Sequence, residues 1–257
     1  MWGRKLGCMT TKSLILIVAL TVMIHICSRQ AVNAGSPPIL AIDSTSTATL
    51  RGVVKLEGTV PKPTPINMAA DPGCAQQHPT PVLSQDVVSD PKGGLQKVIV
   101  FVADGLDDGK FDPPSQPVVM EQIGCMYQPH VLALRANQPL EVVNKDPVTH
   151  NIHPAPTNNR EWNKAEPPGT KVDEVFPREE IAIPVKCNVH PWMRSYVAVF
   201  KHPYFAVTGK DGSFDLRNMP PGTYTIKAWH EKLGTATRTI TVAANETNAV
   251  DFVFKRP

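Results

Sequence analysis

Apolar and polar residues alternate from Leu50 to Val60, and the run stops at Pro61. A period of two sends successive side chains to opposite faces, so this segment predicts a strand. The stretch from Gln96 to Ala103 differs. It contains Val-Ile-Val-Phe-Val without interruption, the pattern of a buried strand. Between the two, Pro61 to Gly94 is loop-rich, and the Gly/Asp/Pro run from Asp104 to Gln116 is a candidate boundary. Further short strands are predicted at Val131–Arg135, Leu140–Asn144, His150–Ile152, Ile181–Val185 and Tyr196–Phe200. Thr157 to Gly169 is a polar excursion carrying Trp162, expected to cover one side of the structure. Towards the C-terminus, Asp211-Gly212 and Pro220-Pro221-Gly222 mark turns, and Tyr224, Ile226 and Ala228 share a face.

The 26 prolines and 16 glycines interspersed among short apolar runs support the same conclusion. They point to an all-β chain with many turns. No internal repeat or low-complexity tract interrupts it.

The N-terminal 34 residues follow a different pattern. Arg4, Lys5 and Lys12 precede an apolar run from Ser13 to Cys27, too short for a comfortable membrane span. Ala31-Val-Asn-Ala34 then offers small residues for cleavage. The expectation is a secretory signal peptide over residues 1–34 cleaved near Ala34, delivering the chain to the periplasm or another exported compartment without stable membrane insertion. A retained anchor and a lipoprotein on Cys27 are the alternatives. The whole chain carries +3; residues 1–34 hold Arg4, Lys5, Lys12 and Arg29 with no acid, and taking away that +4 leaves −1. The basic balance belongs to the leader, so no nucleic-acid partner is expected. About 220 residues then remain, enough for one large or two small β domains.

Beyond the leader stand Cys74, Cys125 and Cys187. Cys187 opens the run Cys-Asn-Val-His-Pro-Trp-Met, which also holds His190 and Met193, and His150 lies upstream in Thr-His-Asn-Ile-His. A thiolate, two imidazoles and a thioether form the ligand set of a blue-copper centre. Zinc is the rival metal, but it would want a further thiolate or histidine, and Met suits it poorly. Core packing is the alternative for Met193, but beside Cys187 and His190 it is expected to be a ligand. His153 competes with His150, but three residues along a strand reverse the face, so one segment is not expected to offer both. With Cys187 engaged, export into an oxidising compartment predicts a Cys74–Cys125 disulfide. The rival is a second metal site using Cys74 with His78 or Cys125 with His130.

These residues resemble the cupredoxin family, most closely its amicyanin branch. The resemblance covers roughly residues 118–201: an early His-Asn in His150-Asn151, then Cys187-x-x-His190-Pro with Met193 close behind, then the strand-like Arg-Ser-Tyr-Val-Ala-Val-Phe. Ala-Asn-Gln-Pro replaces a Gly-Asp turn common in the family. The resemblance implies a Greek-key β-sandwich and one mononuclear type 1 copper on His150, Cys187, His190 and Met193. It also implies that Asn151 staples the two ligand loops together. The C-terminal run from Thr208 to Trp229 is similar to the small sandwich called carboxypeptidase regulatory-like, whose usual opening strand has a counterpart far upstream in Gly52-Val-Val-Lys-Leu-Glu-Gly-Thr-Val-Pro61. The expected organisation is a linker at 35–47, an N-terminal β segment at 48–117, a cupredoxin-like copper domain at 118–202, and a second small sandwich at 203–257. Two versions stay open: a sandwich split between 48–117 and 203–257, or an elaborated cupredoxin with a short tail domain.

The implied function is one-electron transfer. His150 is expected to be buried and His190 to lie nearer the surface. Transient redox partners would dock near His190 and Trp192, since such contacts are small. Two rivals are a copper carrier or sensor, and a structural or glycan-binding envelope protein with a vestigial site. No enzymatic role is expected, because the ligand set leaves little room for an open coordination position. Asp104, Asp107 and Asp108 read as loop residues, Ser195 lacks a nucleophile motif, and His230 reads as a packing or surface histidine.

Overall fold

A computed structural model describes residues 47–255. The expected signal peptide and most of the linker lie outside the described residues. The described chain is all-β, with four sheets stacked as two sandwiches.

The outer sandwich combines both ends of the described chain. In its first sheet β1 (Ala48–Glu57) pairs antiparallel with β13 (Ser213–Met219) and parallel with β16 (Thr247–Ala249) and β17 (Phe252–Lys255). In its second, β12 (Phe205–Val207), β2 (Ile99–Asp104), β14 (Gly222–His230) and β15 (Gly234–Val242) run antiparallel in that order. Leu50, Val54 and Leu56 of β1 meet Val100, Val102, Tyr224 and Ile226 across the gap. The Asp211-Gly212 turn leads into β13. Gly212 sits at φ +78, and a Cβ there would stand 2.4 Å from Val54 O, so glycine is required on both counts.

The inner sandwich is built from the intervening chain. Its five-stranded sheet has the order β5 (Val131–Arg135), β11 (Arg194–Phe200), β10 (Glu180–Lys186), β7 (His150–Pro154), β8 (Lys164–Glu166). Its four-stranded sheet has the order β4 (Tyr127–Gln128), β3 (Val118–Gln122), β6 (Pro139–Asn144), β9 (Lys171–Val175). Met120, Leu134, Leu140, Val142, Ile183, Val197 and Val199 fill the space between them.

Packing of one sandwich on the other explains the two continuously apolar strands. Val100 and Val102 of β2 point into the outer core, while Ile99 and Phe101 point the other way, onto Ala198 and Phe200 of β11. Val197 and Val199 of β11 in turn face the inner core. A strand covered on both faces has no polar side to show. Phe200 stacks on Phe205 at 4.5 Å and meets Phe101 at 5.1 Å.

The predicted strands are present with ends moved by a few residues. The sequence reading placed no strand at β3, β4, β8, β9, β12, β15, β16 or β17. β9 is a Lys-Val-Asp-Glu-Val edge strand with little apolar content, and β8 lies inside the polar excursion. Trp162 of that excursion packs against the inner core, as expected. Among the described residues no helix is long and apolar enough to cross a membrane.

Candidate metal centre

Two loops and one strand bring the donors together at one end of the inner sandwich. His150 opens β7, whose alternation turns it inward and His153 outward; His150 is fully buried. His153 instead contacts Asn188 Oδ1 at 3.1 Å and Glu161 Oε1 at 2.6 Å. Cys187 follows β10 and Met193 precedes β11, and the turn between them closes through Cys187 N–H to Met193 O and Met193 N–H to His190 O, at 3.2 and 2.9 Å.

His150, Cys187 and His190 converge, one donor atom each within 4.8 Å of one another. The two Nδ1 atoms face each other at 2.9 Å, and Cys187 Sγ lies 3.8 Å from His190 Nδ1. Met193, fully buried, belongs to the same apolar cluster as Cys187. The His190 N–H points at Cys187 Sγ at 3.4 Å. Asn151 Oδ1 accepts the Asn188 N–H at 2.7 Å and lies 3.3 Å from Sγ, so its side chain joins the two loops. Burial pushes the Cys187 thiol up, but His150 and nearby backbone N–H groups outweigh it and hold the pKa below its usual value. Burial likewise opposes charge on His150, yet Asp146 and Cys187 raise its pKa to about 9. A buried anion-forming sulfur beside two buried imidazoles is an arrangement that a cation would complete.

Each imidazole has a carboxylate behind it. Asp146 Oδ2 accepts from His150 Nε2 at 2.8 Å, and Asp71 Oδ2 accepts from His190 Nε2 at 2.9 Å. Hydrogen bonding to His190 holds the Asp71 carboxyl below the ordinary range. Burial pushes Asp146 up, but His150 and the N–H groups of Cys125 and Gly124 bring it below its usual value. A second buried acid, Glu166, pairs with His150 across the β7–β8 ladder and hydrogen-bonds Gln122; burial raises it to about 7.

The expectation that His190 lies nearer the surface is overturned: only 1% of it is exposed. The covering piece comes from residues 66–78, read from sequence only as loop. There Asp71 caps a one-turn helix, α1 (Pro72–Ala75), and Cys74 joins Cys125 in the expected disulfide, with Cα atoms 5.7 Å apart. Cys74 Sγ rests 3.6 Å from His190 Nε2. The neighbours of His190 do reach solvent: Val189 is 54% exposed, Pro191 is exposed and Trp192 half-buried. The rival second metal site is not formed. His78 bonds Gly124 O at 2.8 Å, and His130 pairs with Glu231. His230 lies in the core of the outer sandwich, beside Phe254 and away from the cluster.

Sequence reasoning missed Asp71 and Asp146. Asp146 stands four residues before His150 and was open to notice; Asp71 stands in Asp-Pro-Gly-Cys, which signals a helix start. No local signal tied it to a histidine 119 residues later.

The family model described as carboxypeptidase regulatory-like domain matches residues 195–255. No curated protein matches the chain. Among solved structures, the chain is similar to a purple cupredoxin from Nitrosopumilus maritimus, at 22% identity over 32% of this chain and 97% of that one, with a TM-score of 0.28. It is similar to a methionine-to-alanine mutant of amicyanin in the Cu(I) form, at 16% identity over 39% of this chain and 97% of that one, with a TM-score of 0.30. It is also similar to a Cu-containing nitrite reductase from Thermus scotoductus, at 18% identity and a TM-score of 0.33; 39% of this chain covers 26% of that one. The chain thus joins an all-β architecture to a carboxypeptidase regulatory-like match over residues 195–255.

Proposed function

We propose that the chain is an exported one-electron carrier. Its ligands would be His150 Nδ1, His190 Nδ1, Cys187 Sγ and the Met193 thioether around one type 1 copper. The observation that carries this reading is the pair of Nδ1 atoms, 2.9 Å apart beside the buried Cys187 sulfur. Sulfur suits Cu(I) and imidazole accepts both oxidation states, so one rigid set serves both. Bound there, copper would supply the one-electron couple. The protein's share is to keep the donors fixed and dry: Asp71 and Asp146 hold the imidazoles, Asn151 holds the Cys187 loop, and the disulfide closes the cover.

A carrier that hands over its metal needs an accessible ligand. His190 beneath Asp71 and Cys74 favours retention instead. Four donors in a buried pocket also leave no open position for a substrate, which favours an electron carrier over a catalyst. Since His190 is covered, a redox partner would meet Val189, Pro191 and Trp192, the last 5.0 Å from the His190 ring between centroids. Export rests on the N-terminal leader pattern.

Adding Cu(II) to metal-free protein tests the reading. One copper per chain and an intense visible thiolate-to-Cu(II) band are expected, and Cys187→Ser should abolish the band. A wild-type protein fully loaded with Cu(II) yet colourless would overturn it.

A further inference from the structure

The cover over His190 has the same construction as the support behind His150. Asp71 uses both oxygens. Oδ1 accepts the N–H groups of Gly73 and Cys74 at 2.8 and 3.2 Å, and Oδ2 holds His190 Nε2. Asp146 does likewise: Oδ1 accepts Gly124 N–H at 2.6 Å, while Oδ2 takes Cys125 N–H at 2.8 Å and His150 Nε2. The two half-cystines therefore supply a backbone donor to each carboxylate, Cys74 to Asp71 and Cys125 to Asp146. The disulfide joins those two donors covalently. Gly124 at φ +62 and Cys125 at φ 51 form the tight turn that aims both N–H groups at Asp146. Trp192 Nε1 donates to Cys125 O at 3.1 Å, tying the ligand loop to the same turn.

We propose that Asp71 is a positioning residue for the metal centre, paired with Asp146 across the disulfide. The pair would set its redox preference by placing one negative charge behind each imidazole. This rests on the copper reading above. A carboxylate at Nε2 keeps the proton on that nitrogen and leaves the Nδ1 lone pair free to bind metal. It also adds fixed negative charge close to the site, which favours the more highly charged oxidation state. The cover formed by residues 66–78 is thus part of the electrostatics of the site as well as its seal.

The test separates helix capping from charge. Asp71→Ser keeps a side-chain oxygen for the Gly73 N–H but leaves nothing to reach His190. In the full-length chain loaded with copper, the visible band should persist. The ratio of Cu(II) to Cu(I) affinity should fall at least tenfold, a rise in reduction potential of about 59 mV for a one-electron couple. In the metal-free chain, ¹⁵N spectra should show His190 protonated at Nε2 in the wild type, and that preference lost in Asp71→Ser. An unchanged potential with the band retained, or an unchanged His190 tautomer, would overturn the proposal. If Asp71→Ser does not fold, Asp71→Asn gives the same two readouts with the cap and side-chain size kept. Should the wild type never show the thiolate band, the copper reading fails by itself, and the metal-free tautomer measurement still decides what Asp71 does.

Discussion

Among the described residues the two sandwiches are built from eight and nine strands, yet they place their polar groups differently. The inner one holds a cluster of ionisable side chains at one end of its core: His150, His190, Cys187, Asp146 and Glu166 are buried, and Asp71 is half-buried at the rim. The outer one holds a core of Leu, Val, Phe, Tyr and Ile. Its buried His230 has its pKa driven down to about 4 by burial, against a smaller opposing effect from Glu231. Buried ionisable groups are costly unless something compensates. Both histidines of the inner cluster have a carboxylate within hydrogen-bond reach. In the outer one His230 stays neutral, its Nδ1 accepting the Lys232 N–H at 3.1 Å. The first arrangement favours binding a cation, and the second favours packing.

The sharpest way to break this contrast is to remove one partner. Deleting residues 203–257 takes away β12 to β17, so β1 and β2 lose every strand of the outer sandwich they pair with. Leu50, Val54 and Leu56 of β1 and Val100 and Val102 of β2 would lose their partners and meet water together. Loss of soluble monomer is expected, as open strands and bare apolar faces self-associate. Size-exclusion chromatography of the refolded fragment checks this, and a soluble, folded, monomeric 47–202 fragment would contradict it.

A milder cut leaves both cores intact and loosens their joint. Phe200 is fully buried, and Phe200→Ala should cost about 3–5 kcal/mol. Urea unfolding should show a lower midpoint. A loss below about 1 kcal/mol would mean that the joint contributes little.

The smallest effect concerns protons. The folded pKa of His230, near 4, lies below the value of about 6.5 for a free imidazole. Between those values the unfolded chain binds a proton that the folded chain does not, so stability falls as pH falls from about 6.5 towards 4. The contribution is on the order of 3 kcal/mol if fully realised. Glu231 opposes the shift, while His130, Lys97 and Lys232 act with burial. His230→Gln should flatten that part of the pH–stability curve and leave the thiolate-to-Cu(II) band unchanged. A curve as steep as the wild type's would assign the dependence to other groups.

What could be read from the chain depended on how far apart the interacting residues stand. Cys187, His190 and Met193 share one turn, so their spacing was informative. His150 could be told from His153 by strand alternation alone. β2 announced itself through an unbroken apolar run, though which surfaces covered its two faces was not visible. β9 carried too few apolar residues to register. The burial of His190 depends on Asp71 and Cys74, more than a hundred residues earlier in a stretch without periodicity, and no local pattern encodes a contact over that distance.

The pairing of β1 and β2 with the C-terminal strands bears on the order in which the molecule can assemble. A chain emerging from its N-terminus presents β1 first and its ladder partners last. The strands from β3 to β11 are all available before β13, β16 or β17 exists. The opposed pair Phe101 and Phe205 flanks that intervening stretch. Once the stretch has folded, its two ends lie side by side. Closing the outer sandwich then joins neighbours instead of the ends of a long free chain, and most of the loop entropy has already been spent. The outer sandwich thus inherits its long-range contacts from the sandwich it encloses.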